Sequence, residues 1–260
     1  MIDIEKASIA FNEYAKKYDM NNKKIAMKFK HIYKTVEVAK EIAEDLKLDS
    51  EQVLLSELIA LLHDIGRFEQ LKIYDTFNDR ESIDHAELGV KILFENGLIR
   101  KFIKEDKYDE IIYIAIKNHN KYKIENGLNE EELLQAKIIR DADKTDIFRI
   151  FVEDIETNAG VLYNYKELSK QTITPKIMND FLEHKQSNRE DSKKEIDCYI
   201  NNISFIFDYN FLTGLKIIKS NNYIEKMMRP ISIFEDTKQQ MQTIAEIANK
   251  YINQRIEKGC

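Results

Sequence analysis

The sequence predicts an all-α protein, and three observations support this fold class. Only two prolines and seven glycines occur in 260 residues, so the chain lacks the dense turn punctuation of an all-β protein. Apolar residues recur at intervals of three and four, which is the spacing of one helical face. A hydrophobic content of 43% and a charged content of 33% are typical of a folded globular chain.

The first elements are predicted to be helices of one bundle. Residues 1–19 form a helix that joins this bundle. A second helix covers Lys24 to Lys47, because apolar side chains follow one face of that segment. They are Ile25, Phe29, Ile32, Val36, Ala39 and Ile42. His31 lies at the edge of the same face, in line with Val38 one heptad later.

The next helix begins with Asp49 or Ser50 as its N-cap and is apolar on more than one side, which marks a central, buried element. It carries the sequence LLSELIALLHDIG, and we expect Gly66 to end it. The adjacent pair His63 and Asp64 therefore lies at the inner end of a buried helix. Burying both side chains costs several kcal/mol unless a partner satisfies them, and a divalent metal ion binds imidazole and carboxylate together.

The following segments alternate between loop and helix. Residues 67–83 show no clear periodicity and predict a surface loop that shapes a pocket. Asp84 and Glu87 resemble a capping box for a helix that ends near Gly97, with His85 in its first turn. A further helix covers about residues 108–119, where His119 continues an apolar line.

A longer helix covers about residues 130–155 and has Asp143 at the centre of an apolar line. A carboxylate in that position needs a strong partner, whereas Asp141 occupies a more polar position and Asp146 ranks below Asp143. Beyond Gly160 the pattern stays helical without a chemical motif. Residues 160–260 are therefore predicted to form a helical extension packed on the preceding domain, with His184 as a solvated surface residue.

Four residues on three helices combine into one predicted metal site: His31, His63, Asp64 and Asp143. Two nitrogen and two oxygen ligands favour Mn²⁺, Fe²⁺, Co²⁺, Ni²⁺ or Zn²⁺ over Mg²⁺. We expect one such ion. His85 and His119 also lie on apolar lines and are candidates to hold a second ion, with Asp64 bridging the two. Each of these histidines, taken alone, is also compatible with a hydrogen-bonded core residue.

This pattern resembles the HD-domain metal-dependent phosphohydrolase superfamily over about residues 20–155. The family pattern is a His on one helix, an adjacent His-Asp on the next, and an Asp on a later helix. The matches are His31, His63 and Asp64 within LLHDIG, and Asp143 within RDADKTD. The resemblance implies an HD-domain helical bundle with an additional helical C-terminal region. In members with two metals, extra histidines occupy positions such as those of His85 and His119.

The sequence departs from this family at two places. Arg67 stands where many members carry His or Lys. Asn118 precedes His119 where the cyclic-dinucleotide phosphodiesterase branch of the family has two adjacent histidines. That branch also has a GYP signature, which is absent here, and this argues against hydrolysis of cyclic di-GMP.

The predicted function is that of a metal-dependent phosphohydrolase, a phosphomonoesterase or phosphodiesterase acting on a nucleotide or another small phosphorylated metabolite. Its metal activates a water, Asp64 orients that water or bridges two ions, and Arg67 and Lys144 neutralise phosphate charge. Arg67 is equally compatible with a surface salt bridge and Lys144 with an exposed lysine. His85 or His119, if not a ligand, is a candidate to protonate the leaving oxygen.

Two alternatives from other functional classes stay open. The first is a di-iron HD-type oxygenase, which uses a six-residue set of this kind. The second is a non-catalytic nucleotide-sensing module whose C-terminal third reports occupancy to a partner.

Composition limits the partners and the compartment. A net charge of −6 argues against binding a long nucleic acid, because that requires many Lys and Arg contacts with phosphates. The two cysteines, Cys198 and Cys260, have no CxxC partner, which favours a reducing cytoplasm. The start has no signal-peptide pattern, and no apolar run is long enough to span a membrane. A homodimer is compatible with the sequence.

Overall fold

The computed structural model describes residues 2–229 and 232–259, and these residues form helices and turns without a strand. The all-α prediction is therefore confirmed. The chain divides into two compact units, Met1–Asp146 and Ile147–Cys260, and the boundary falls within a long helix. The division into functional domains at residues 20–155 and 160–260 stays a prediction.

The first unit is a bundle around a buried central helix. Its helices are α1 (Ile4–Ala15), α2 (Lys23–Asp45), α3 (Ser50–Leu62), α4 (Ile65–Tyr74), α5 (His85–Val90), α6 (Asp109–Asn118) and α7 (Glu130–Thr157), of which α7 continues into the second unit. A π-helical turn extends α5 and a 3-10 turn follows it. Helix α3 packs against α1, α2 and α6, and α5 packs between α4 and α6. Every residue of α3 from Leu55 to Leu62 is buried, as predicted for a central element.

Aspartates fix where two of these helices begin. Asp49 accepts hydrogen bonds from the backbone amides of Glu51 and Gln52 at the start of α3. Asp84 accepts bonds from the amides of Ala86 and Glu87 at the start of α5. Both predicted N-caps are confirmed, and the α5 segment ends before Gly97, whose φ of +70° is left-handed.

Two predictions near residue 66 are wrong. Gly66 does not end a helix but is the second residue of α4, and much of the predicted loop 67–83 is helical. Ile65, Phe68 and Leu71 are spaced by three residues and are buried, so this face holds α4 in the bundle. A Cβ on Gly66 would meet the carbonyl oxygen of His85 and lie 2.7 Å from the amide nitrogen of Gly89. The glycine is required for the close approach of α4 and α5, not for a turn.

The second unit is also helical, as predicted for the C-terminal region. Its further helices are α8 (Tyr165–Leu168), α9 (Pro175–Leu182), α10 (Glu195–Ile203), α11 (Leu212–Ser220), α12 (Tyr223–Met227) and α13 (Glu235–Lys258). Helix α13 packs against α9, α11 and α12 over an apolar core that includes Phe181, Tyr199 and Ile244. His184 is exposed, as predicted, and its ring stacks on Phe207 at 5.1 Å. Cys198 is exposed and is not part of a disulfide, and Cys260 lies outside the described residues.

Across the part of the chain that the structure describes, no helix combines the length and the apolar character that crossing a membrane requires.

Candidate metal centre

The bundle of the first unit brings all six predicted metal ligands together. His31 comes from the middle of α2, and Asp143 comes from α7. His63 and Asp64 form the short connection between α3 and α4, where the Asp64 side chain makes no capping bond and is free to face the histidines. His85 begins α5, and His119 follows the last residue of α6. The four histidines and Asp64 are buried.

Four of these residues form a first half-site: His31, His63, Asp64 and Asp143. Nε2 of His31 lies 3.0 Å from Oδ1 of Asp143 and 3.6 Å from Oδ2 of Asp64. Nε2 of His63 lies 3.6 Å from the same Asp64 oxygen and 3.7 Å from the same Asp143 oxygen. Each of the two imidazole nitrogens thus lies 3.0–3.7 Å from both carboxylate oxygens.

His85, His119 and the other oxygen of Asp64 form a second half-site. Nε2 of His85 and Nε2 of His119 are 3.0 Å apart, and they lie 3.3 Å and 3.7 Å from Oδ1 of Asp64. Asp64 therefore presents Oδ2 to the first half-site and Oδ1 to the second. This is the arrangement that a carboxylate bridging two ions requires.

The other ring nitrogen of each histidine is held by an acceptor. Nδ1 of His63 and Nδ1 of His119 donate to the carbonyl oxygens of Ala60 and Ile116, three residues earlier in their own helices, at 2.7 Å and 2.6 Å. Nδ1 of His31 and Nδ1 of His85 lie 2.7 Å and 2.8 Å from carboxylate oxygens. A carbonyl only accepts, so in His63 and His119 the proton sits on Nδ1 and the lone pair on Nε2.

The two carboxylates that orient histidines are Asp146 and Asp79. Asp146 holds His31 in the first half-site, and Asp79 holds His85 in the second. Each half-site therefore pairs one histidine oriented by a carboxylate with one oriented by its own helix. Partners of this kind fix the ring and raise the basicity of the ligand nitrogen in metal sites.

The residues present fit a divalent metal ion. Nε2 of His63 is buried and has no hydrogen-bond partner, although carboxylate oxygens lie 3.6–3.7 Å away. Lone pairs that face ionised oxygens repel one another unless a cation lies between them. The donor set of imidazole nitrogen and carboxylate oxygen suits a transition metal.

Electrostatics keep these side chains in the protonation states that bind metal. Burial would raise the pKa of Asp64, but Lys28 and the histidines outweigh it and hold that pKa well below its usual range. Burial opposes ionisation of Asp143 as well, yet the neighbouring His31 and His63 hold its pKa well below the ordinary value. Burial lowers the pKa of His63, and burial with the neighbouring Arg67 charge lowers that of His85 to about 3.

His31 differs from the other histidines. Burial and Lys28 pull its pKa down, but the bonds with Asp143 and Asp146 outweigh them, so the pKa of His31 is raised. A metal ion that enters the first half-site therefore has to displace a proton from this ring.

Arg67 lies beside the second half-site and is held by its own neighbours. Nη1 donates to Oε1 of Gln70, to the carbonyl oxygen of Phe77 and to Oδ1 of Asp79, at 2.7–2.8 Å. Nε faces Oδ1 of Asp64 at 3.6 Å and is a buried donor without a hydrogen-bond partner. The predicted reach of Arg67 toward a phosphate is therefore compatible with Nε, while its Nη1 is engaged.

Lys144 and Asp141 are both buried, so the alternative of an exposed surface lysine at position 144 is wrong. The predicted roles of Arg67 and Lys144 toward substrate stay predictions.

Sequence reasoning missed two side chains of this site and ranked a third too low. Lys28 lies one turn before His31 and donates to Oδ2 of Asp64 at 2.6 Å, so its spacing of three residues was an available signal. Asp146 lies one turn after Asp143, and the prediction ranked it only as a lesser acidic candidate. Asp79 comes from the segment between α4 and α5, where no periodicity points to it.

One family model matches this region. Residues 29–147 match the family model described as HD domain. The matched range contains all six predicted metal ligands and begins one residue after Lys28. Neither the curated proteins nor the solved structures include a match to the chain.

Proposed function

We propose that the protein is a metal-dependent hydrolase that acts on a nucleotide or another small phosphorylated metabolite, a proposal supported by the match of residues 29–147 to the HD-domain family model. The observation that carries this proposal is that the two carboxylate oxygens of Asp64 face two different pairs of histidines. One of its oxygens faces His31 and His63, and the other faces His85 and His119.

Six residues would hold the metal ions. His31, His63, Asp64 and Asp143 would bind the first ion, and His85 and His119 would bind a second that shares Asp64. The mixture of nitrogen and oxygen donors favours Mn²⁺, Fe²⁺, Co²⁺, Ni²⁺ or Zn²⁺. A bound ion of this kind acts as a Lewis acid toward the phosphoryl oxygen and lowers the pKa of a water ligand.

The chain adds positive charge where an anionic substrate would bind. Lys28 lies against one oxygen of Asp64, and Nε of Arg67 faces the other. The Lys28 and Arg67 side chains each keep 13% of their surface exposed, so both are partly accessible to a ligand from solvent. A guanidinium N–H without an acceptor and an ammonium group both favour a phosphate oxygen. Lys144 is a further candidate for this role.

The second candidate function is O₂ activation by two iron ions. The same placement of the Asp64 carboxylate between two pairs of imidazoles favours it, since this set of ligands also suits a di-iron centre. The cations Lys28 and Arg67 favour the phosphohydrolase, because dioxygen needs no positively charged binding group.

The test uses the full chain purified without added metal. Its metal content is measured first, and phosphate release is then assayed with Mn²⁺, Co²⁺ or Ni²⁺ on nucleotides, dinucleotides, sugar phosphates and an aryl phosphodiester. We expect activity that is lost in His63→Asn and kept in the matched control His184→Asn, since His184 is exposed in the second unit.

Metal-loaded protein without any phosphate product contradicts the proposal. Two irons per chain together with O₂ consumption would support the second candidate. Intact function of His63→Asn, with loss of function on mutations after residue 200, would favour the nucleotide-sensing module.

A further inference from the structure

Asp79 bonds to four side chains beside the second half-site, namely those of His85, Arg67, Gln70 and, at 3.4 Å, Asn120. Oδ2 of Asp79 lies 2.8 Å from Nδ1 of His85. Oδ1 accepts from Nη1 of Arg67 and from Nε2 of Gln70, both at 2.8 Å. One carboxylate thus serves a predicted metal ligand, a predicted phosphate contact and a buried glutamine of α4.

The orientation of the His85 ring depends on the Asp79 side chain. The orientation of the neighbouring His119 ring does not depend on a side chain. Nδ1 of His119 bonds to the carbonyl oxygen of Ile116 in its own helix, so that ring is fixed by regular secondary structure. His85 is the first residue of α5 and has no earlier helical turn to supply such a carbonyl. Its Nδ1 acceptor has to come from elsewhere in the chain.

Gln70 anchors the segment that supplies this acceptor. Its Nε2 donates to Oδ1 of Asp79, to Oγ of Ser82 and to the carbonyl oxygen of Ile83, at 2.8–2.9 Å. Gln70 is fully buried in α4. The connection from Asp75 to Asp84 is therefore tied to a fixed point of the bundle, and Asp79 is held in place opposite His85.

We propose that Asp79 is a positioning residue for the second half-site: it orients His85 and restrains Arg67, so uptake of a second metal ion depends on the segment between α4 and α5. The inference rests on the proposed function, because it concerns the same centre. It goes beyond that function because it makes the affinity for the second ion, and not for the first, depend on a segment outside the helices that carry the ligands.

The experiment is a Co²⁺ titration of the full chain, followed by visible absorption and by equilibrium dialysis. Wild-type protein is expected to bind two ions. Asp79→Asn keeps the shape of the side chain but replaces one acceptor oxygen by an NH₂ group. It should retain the first ion and bind the second about 10- to 100-fold more weakly, the usual effect of removing such a partner.

Three further variants complete the design. Asp75→Asn is the matched control, because Asp75 is an exposed carboxylate of the same segment that pairs with Lys24, and both ions should bind as in wild type. Asp79→Glu keeps a carboxylate and should restore part of the affinity. Arg67→Met removes the cationic partner of Asp79 and should leave the second ion bound.

Each contrary result has its own meaning. Two ions with wild-type affinity in Asp79→Asn overturn the inference, and so does loss of both ions, which shows general disruption. Loss of the second ion in Arg67→Met to the same extent shows that Asp79 acts through Arg67, which also overturns it. Wild-type protein that binds a single ion refutes the second-ion part of the proposed function, before any variant is made, and the inference falls with it.

Discussion

Nζ of Lys28 lies 2.6 Å from Oδ2 of Asp64, the oxygen that also faces Nε2 of His31 and Nε2 of His63 at 3.6 Å. The Asp64 side chain is only 2% exposed, so this pair is little screened by water. The lysine ammonium and a divalent ion are thus drawn to the same carboxylate oxygen, and they repel each other. Lys28 is therefore placed to weaken metal binding while it neutralises Asp64.

Replacing Lys28 by Met is expected to tighten metal binding. The variant keeps an unbranched chain over Phe77, which the lysine contacts, but removes the competing positive charge. We expect the first ion to bind about tenfold more tightly, or about 1.4 kcal/mol, in the absence of substrate. Competition with a chelating dye measures this affinity.

The same variant should bind a phosphorylated substrate more weakly, so KM rises while the metal binds more tightly. Lys24→Met is the matched control, because Lys24 lies one turn earlier on α2 and pairs with the exposed Asp75. Weaker metal binding in Lys28→Met would show instead that the lysine holds the Asp64 carboxylate in place.

The parts of the site that the sequence predicted are encoded locally. Asp143 interrupts an apolar line on one helix, and His63 with Asp64 ends an apolar run. Burying these polar side chains costs free energy, so their positions in the sequence indicate that they have partners. Asp49 and Asp84 were readable as caps, because a cap bonds to amides two or three residues away. Such features need no knowledge of the fold.

The parts that the sequence did not predict depend on which segments meet. Asp79 matters only because its segment folds back onto His85, and Gly66 matters only because α5 crosses α4 there. A glycine after a helix fits both a C-cap and a close helix contact, and the sequence pattern does not distinguish them. The buried face of Ile65, Phe68 and Leu71 was too short to stand out beside the charged residues between them.

Replacing Asp146 by Asn is expected to weaken the first ion selectively. Oδ2 of Asp146 lies 2.7 Å from Nδ1 of His31, and an Asn side chain orients the ring less firmly and makes it less basic. The affinity of the first half-site should fall about 10- to 100-fold, with little change at the second. Metal titration against Asp79→Asn, which should show the opposite selectivity, checks this result. Equal losses at both half-sites in each variant would contradict it.

The metal-free protein is expected to lose stability as the pH falls below about 6.5. The pKa of His85 is lowered by burial from its ordinary value of 6.5 to about 3, so between these values the unfolded chain binds a proton that the folded chain does not. This contribution is complete above the unfolded value and declines by up to about 1.4 kcal/mol per pH unit as the pH falls. His63, with its pKa also lowered, acts in the same direction.

His31 acts in the opposite direction, because its pKa is raised and its contribution is lost as the pH rises. Comparison with His85→Gln isolates the contribution of His85 to the pH dependence of the free energy of unfolding. Urea unfolding of both metal-free proteins between pH 7 and pH 4 should show that the wild-type chain loses free energy of unfolding faster than the variant. Parallel curves would rule out a neutral, buried His85.

Replacing Gly66 by Ala should damage the second half-site, whereas Gly89→Ala in the same helix contact should be tolerated. A Cβ on Gly66 would meet the carbonyl oxygen of His85 and lie 2.7 Å from the amide nitrogen of Gly89, and a backbone atom has no rotamer by which to move aside. On Gly89 the nearest atoms would be 3.6 Å away, which is ordinary van der Waals contact.

We expect Gly66→Ala to lower the free energy of unfolding by about 3 kcal/mol or more and to weaken binding of the second ion. Because the overlap displaces the first residue of α5, His85 moves away from Asp64 while His31 and His63 stay in place. Thermal unfolding and Co²⁺ titration of both variants measure these effects, and equal behaviour of the two would contradict the close-approach role of Gly66.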